Sequence, residues 1–163
     1  MASMQGTYEF MSDDLRMALW TMDPYLHSPV DDLFSFGYTV QWAAAFNDGA
    51  SGRKHDGTKI QRFREMIADD RRGDAVMLLG RLAPSLAEHG PFFVQSLVLL
   101  VPWWTKLSAL ARDWSFAMEH TDALKGKDKE ERLRLNFLTF GYRGVGEYFE
   151  LVHEHRASLQ AAV

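Results

Sequence analysis

Residues 91–118 form the segment that most constrains how this chain can fold. They read PFFVQSLVLLVPWWTKLSALARDWSFAM, and apolar side chains stand on every side of a helix drawn through them. A helix that is apolar all round must be covered on most of its faces. In a chain of 163 residues, either the rest of the same chain or a second copy supplies that cover. The segment alone does not decide between the two.

The composition indicates a folded chain without disulfide chemistry. Apolar residues make up 47% and aromatic residues 13% of the chain, enough to bury a core as one domain over residues 1–163. Cysteine is absent, which excludes disulfides, thiol nucleophiles and cysteine-based zinc sites. The start, MASMQGTYEF, lacks the pattern of a signal peptide, and no apolar run reaches the ~20 residues that span a bilayer. We expect a soluble intracellular chain that needs no membrane contact.

Local signals predict an all-α fold, because no stretch alternates polar and apolar residues with the period of a strand. Ser12 and Ser28 are expected to cap helices over about 12–22 and 28–46, since serine oxygens accept from free backbone N–H groups at helix starts. Further helices are predicted over 58–68, from 74, over 91–101 and 103–120, from 128, and from a bend at Gly141 to about 156. Pro84 and Pro102 are expected to disturb the helices that contain them.

Charge is unevenly spread along the chain, whose net charge is −4. Residues 1–52 carry seven acids and one base, whereas residues 53–64 carry five bases and one acid. Such asymmetry helps copies of a chain to dock on one another. The basic run could also contact phosphates, but a solvated helix face is the preferred interpretation.

No motif meets the needs of a catalytic or metal site. Glu150 and His153 have the Glu-x-x-His spacing of di-iron helix bundles, but no second such pair occurs. No serine lies in a Gly-x-Ser-x-Gly context, and neither a P-loop nor a GxGxxG motif is present. We expect neither enzyme activity nor a cofactor or bound metal.

Two ordered segments carry a resemblance to a known family. Residues 138–149 read LTFGYRGVGEYF, which gives the pattern LTFG-x-x-x-V-x-E-Y. Residues 23–36 read DPYLHSPVDDLFSF, in which Asp-Pro-Tyr precedes a valine, an acid and Leu-Phe-Ser-Phe. Together these segments resemble the core (capsid) proteins of hepadnaviruses. The absence of cysteine suggests a distant branch, similar to the non-enveloped nackednaviruses.

The resemblance implies a long helical hairpin that pairs with its twin in a four-helix bundle. Such homodimers would then assemble into a closed icosahedral shell around the viral genome, in the host cytoplasm or nucleus. In this reading the dimer forms through the apolar segment. The expected dimer contacts are Phe93, Leu97, Leu100, Trp103, Trp104, Leu107, Leu110 and Trp114.

The family's junction between neighbouring dimers corresponds to the segment near the C-terminal end of this chain. By that resemblance, Gly141 would permit a bend between two helices, and Phe140 and Tyr148 would line a pocket at the junction. The residues carried over to the junction are Thr139, Phe140, Gly141, Val145, Glu147 and Tyr148.

The chain departs from the family pattern at several points. Arg132 stands where hepatitis B core has a tryptophan, six residues before the LTFG leucine. The family contacts nucleic acid through an arginine-rich tail, which this sequence does not contain. Two alternatives therefore stay open. An orthomyxovirus-like matrix protein would bind anionic vesicles through residues 53–64, and a helical adaptor or viral Bcl-2-like regulator would bind a partner helix in a groove.

Overall fold

The computed structural model describes residues 10–46, 57–69, 71–82 and 91–161, and no strand occurs within these ranges. The all-α prediction is confirmed. The helices are α1 (Asp13–Thr21), α2 (Pro29–Phe46), α3 (Gly57–Ala68), α4 (Arg72–Leu82), α5 (Pro91–Asp122), α6 (Gly126–Glu154) and α7 (Arg156–Ala161). Within the same ranges, no helix has the length and apolar character needed to cross a membrane.

The first two helices begin at the serines that the sequence indicates. Ser12 Oγ accepts a hydrogen bond of 3.1 Å from the backbone N–H of Leu15. At the start of α2, the backbone N–H of Asp31 donates to Ser28 Oγ at 3.2 Å, and the backbone N–H of Ser28 donates to Asp31 Oδ2 at 2.7 Å. This reciprocal pair is a capping box with aspartate in the acidic position.

The two long helices continue where interruptions were predicted. Helix α5 runs through Pro102, and Leu100 and Trp103 beside the proline are both buried. Burial of side chains before and after Pro102 favours one continuous helix over two separate ones, although the proline removes one backbone hydrogen-bond donor. Helix α6 runs through Gly141, so the predicted bend is wrong, and it begins at Gly126 rather than Asp128. Pro84 lies outside the described residues.

The described residues group into two compact units, Met1–Phe36 with Lys106–Tyr148 and Gly37–Thr105 with Phe149–Val163. The single domain predicted over 1–163 stays a prediction.

In the first unit, α5 and α6 pack as an antiparallel hairpin. Arg143 Nη1 donates to Asp113 Oδ2 at 2.6 Å, and nearer the turn Asn136 Nδ2 donates to Thr121 Oγ1 at 2.9 Å. Between the first contact and the second, the residue number rises on α5 and falls on α6, so the two helices run in opposite directions. Asn136 and Thr121 are both buried, so their mutual bond satisfies polar groups inside the hairpin. The long helical hairpin expected from the sequence is therefore present.

The second unit has its own apolar core and a buried cation. Its core contains Ala45, Phe63, Met66, Ile67, Ala75 and Leu100. Arg72 is 4% exposed, and its guanidinium carbon lies 4.2 Å from the ring centroid of Tyr38. The backbone oxygen of Arg72 accepts from Gln41 Nε2 at 3.0 Å. The cation–π contact compensates part of the cost of burying this charge.

Candidate assembly surface on α6

Helix α2 lies directly against α6 within the first unit. A methyl group placed on Gly144 would collide with the side chain of Leu33. One turn earlier on each helix, a Cβ on Gly141 would lie 3.7 Å from Pro29 Cβ. A glycine in a helix interior costs stability, and here its missing side chain is what admits the neighbouring helix. Gly144 is therefore the residue that sets the close approach of α2 to α6.

Aromatic contact extends the same interface towards the end of the unit. The rings of Phe36 and Tyr148 lie 5.0 Å apart between centroids and meet edge to face at 89°. This is a favoured geometry for two aromatic rings. Burial raises the pKa of the Tyr148 phenol above its ordinary value. The two segments that carry the family resemblance thus pack on each other, although about 100 residues separate them in the sequence.

The Asp-Pro-Tyr segment is fixed by the start of α2. The Tyr25 hydroxyl donates to the carboxylate of Asp31, and Tyr25 Oη lies 2.9 Å from Oδ1 and 3.0 Å from Oδ2. Ser12 Oγ also donates to Asp31, so this carboxylate ties the N-termini of α1 and α2 to the segment between them. Asp31 is only 3% exposed. Hydrogen bonds from neutral donors therefore stabilise a buried charge.

Phe140 lies in the core of the first unit. It is 7% exposed and packs with Val30 and Leu110. Its ring centroid lies 5.4 Å from that of Trp114, with the rings at 86°. A side chain buried in this way has almost no surface left to cover against another dimer. Phe140 therefore holds α6 on α2 and α5, and its role at a junction between dimers stays a prediction.

The opposite side of α6 carries exposed apolar residues at regular spacing. Leu135, Leu138, Tyr142 and Val145 are 52%, 48%, 78% and 48% exposed. The intervals of three, four and three residues place them on one face of the helix. This is the spacing with which one helix packs along another in a coiled coil. We call these four residues the α6 stripe.

Val145 belongs to the stripe, and two further predicted junction residues, Thr139 and Glu147, lie outside it. Thr139 is exposed. Glu147 accepts from Arg143 Nε at 2.8 Å, and the same guanidinium reaches Asp113 on α5. These hydrogen bonds raise the pKa of Arg143; the bond that Arg143 donates to Glu147 has the larger effect, and the bond to Asp113 has the next largest. Because this ion-pair network is largely exposed, its main effect is on the orientation of α6 rather than on stability.

The predicted dimer contacts prove to be mainly core residues of the chain itself. Leu100 and Trp103 are 3% exposed, and Leu107 and Leu110 are fully buried. Their assignment to a dimer interface stays a prediction. The half-buried tryptophans also have neighbours within the chain, Trp104 at Tyr38 and Trp114 at Phe137. The side chains of Phe93 and Leu97 lie outside the description.

Two features of this site were missed in the sequence. Gly144 was passed over in favour of Gly141, because nothing local distinguishes a glycine that faces another helix. The α6 stripe was visible as a three-four-three spacing, but its members stand among glycines, threonine and charged residues. Comparison of the chain with protein-family models, curated proteins and solved structures gave no match.

Proposed function

We propose that this chain is a viral capsid protein that forms homodimers through its α5–α6 hairpin and assembles these into a closed icosahedral shell. The observation that carries the proposal is the α6 stripe. It gives the hairpin a second apolar face, opposite the face that Phe140 uses to pack within the chain. A second copy that presents the same stripe would complete a four-helix bundle.

The size of the apolar contact supports a dimer. Burying a leucine, valine or aromatic side chain completely contributes about 1.5–3 kcal/mol relative to full exposure. The stripe residues are about half to four-fifths exposed. In a two-fold dimer each of them is buried once in each copy, so every stripe residue contributes twice to the interface. Association costs about 4–15 kcal/mol in lost freedom, so the stripe is of the size that a moderately stable dimer requires.

The resemblance to hepadnavirus cores supports the further step from dimer to shell. The two matching segments pack on each other through Leu33 and Gly144, so they form one continuous structural element. Thr139 is a predicted junction residue that lies exposed on α6 outside the stripe. We assign it to contacts with a neighbouring dimer, and multivalency would make many weak contacts of this kind sufficient for a closed shell.

A salt-jump experiment tests the whole proposal. The chain has a net charge of −4, so raising the ionic strength screens repulsion between dimers and favours assembly. Light scattering should report dimers at low salt and particles of megadalton mass at high salt, with closed shells in negative-stain micrographs. The Leu138→Asp variant should form no particles. The Glu130→Ala variant, which alters an exposed residue of α6 outside the stripe, should assemble normally.

The same experiment separates the alternatives. A matrix-type protein would form layers on anionic vesicles, and a helical adaptor would stay monomeric in salt. The matrix alternative also loses part of its basic surface, because Arg64 Nε donates to the backbone oxygen of Ala45 at 2.6 Å. The same guanidinium lies 5.4 Å from the ring centroid of Phe46. Arg53 and Lys54 lie outside the described residues.

A further inference from the structure

A cavity of about 240 Å³ opens in the first unit beside the start of α2. Helix α1 contributes Asp14 to its lining, the α1–α2 connection contributes Tyr25, and α2 contributes Asp31. Helix α5 contributes Trp114 and Met118. The cavity is smaller than the sites of drug-sized ligands, which are about 300–1,000 Å³. It therefore suits a single compact group the size of one side chain.

The charge of the cavity has one sign. Two carboxylates belong to its lining, and no basic side chain does among the described residues that form it. Asp31 accepts from the Ser28 backbone, the Ser28 and Ser12 hydroxyls and Tyr25, all of which are neutral donors. Its negative charge is thus held in place without being neutralised by these partners. A cation in the cavity would gain from this fixed charge, which protein burial screens less than water does.

Asp14 is the carboxylate available for direct contact. The hydrogen-bonding capacity of Asp31 is already used by its donors. The pKa of Asp14 is raised by burial, then by the charges of Asp31 and Asp13.

The apolar part of the lining restricts the kind of cation. Trp114, Phe34 and Tyr25 give the cavity aromatic side chains, and Val30 and Met118 add aliphatic surface. A hydrated metal ion would gain nothing from such surface, whereas an ammonium or guanidinium on an apolar body gains from both the carboxylate and the aromatic rings.

We infer that this cavity binds a compact organic cation, an ammonium or guanidinium group on an apolar stem, with Asp14 as its direct partner. The cation belongs either to a free amine or to a basic side chain of a bound peptide, since both present the same chemistry. This inference does not depend on shell formation.

Titrations followed by amide and indole NMR signals test the inference on the full chain at low salt. The probes are phenethylammonium, its neutral analogue 2-phenylethanol, and a short peptide with one central arginine. The expected result is that one cationic probe or both shift the Trp114 indole signal, which a Trp114→Phe variant identifies. The neutral alcohol should bind at least about tenfold more weakly than the amine, because it cannot form a charge-assisted hydrogen bond.

Two variants localise the effect. Asp14→Asn should weaken binding of the cation about tenfold. Asp32→Asn removes one negative charge from an exposed side chain beside Asp31 and should leave binding unchanged within twofold. Binding of only the amine identifies a free small-molecule ligand, and binding of only the peptide identifies a protein partner. Equal binding of amine and alcohol, or equal affinity of the two variants, would overturn the inference.

Discussion

Gly144 of α6 lies so close to Leu33 of α2 that no side chain fits between them. This contact joins the two segments that resemble hepadnavirus cores. It also fixes which face of α6 turns inward, and hence which face carries the exposed stripe. The α6 stripe and the core packing are therefore on opposite sides of one helix.

Replacing Gly144 by alanine should destabilise the fold. Overpacking of a well-filled interface typically costs about 1–3 kcal/mol, although alanine is otherwise favoured in a helix. Urea unfolding should give a lower midpoint for Gly144→Ala. Gly146→Ala is the matched control, because no atom lies within 4 Å of its added Cβ, and it should be neutral or stabilising.

A second variant identifies the cause. If Leu33 is the obstacle, Leu33→Ala combined with Gly144→Ala should lose less stability than the two single changes lose together. Strict additivity of the two changes would contradict the proposed collision.

Phe140→Ala should unfold the protein more easily rather than affect assembly alone. Truncating a buried phenylalanine costs about 3–5 kcal/mol, and Phe140 is 7% exposed among Val30 and Leu110. Chemical denaturation followed by circular dichroism measures the loss. Val145→Ala should change fold stability by less than about 0.5 kcal/mol, at protein concentrations where the chain is monomeric. A Phe140→Ala variant of unchanged stability would contradict the core position of Phe140 and favour the junction role that the sequence suggested.

Asp31→Asn should destabilise the N-terminal part of the first unit. The amide would turn N–H groups towards Ser28, Ser12 and Tyr25, and each buried donor left without an acceptor costs about 1–3 kcal/mol. The neighbouring Asp32 has a 73% exposed side chain and pairs with His27 at 3.0 Å. Asp32→Asn should therefore cost no more than about 1 kcal/mol. Similar unfolding midpoints for both variants would contradict the buried network.

The fold should lose stability above pH 10. Burial, followed by the charge of Asp31, raises the pKa of Tyr25 above its ordinary value of 10.0. The unfolded chain then loses this proton at lower pH than the folded chain does, so the contribution is complete below pH 10 and falls as the pH rises further. Unfolding midpoints at pH 8 and pH 11 measure the loss. The Tyr25→Phe variant should lose less stability between pH 8 and pH 11 than the wild type does, and Tyr148 accounts for part of the loss that remains. An unchanged loss in this variant would contradict the role of Tyr25.

The sequence was most informative where structure depends on near neighbours. The starts of α1 and α2 followed from Ser12 and Ser28, because a capping hydroxyl bonds to backbone groups two or three residues away. The long hairpin was expected from the family resemblance, whereas local signals divided its helices at Pro102 and Gly141.

Tertiary packing decided the features that the sequence did not reveal. Gly141 and Gly144 are equivalent in local sequence, and only the position of α2 makes the second one essential. Likewise, an apolar segment such as 91–118 must be buried, but its composition does not determine whether the same chain or a second copy buries it. Here the chain covers Leu107 and Leu110 itself.

Sedimentation equilibrium of the wild-type chain and the Tyr142→Asp variant at low salt tests the central claim most directly. Tyr142 is 78% exposed at the middle of the α6 stripe, so aspartate there should leave the circular dichroism spectrum unchanged. We predict a wild-type mass of twice the 18.7 kDa chain and a variant mass equal to one chain. A monomeric wild-type chain, or a variant that dimerises as tightly as the wild type, would contradict the account.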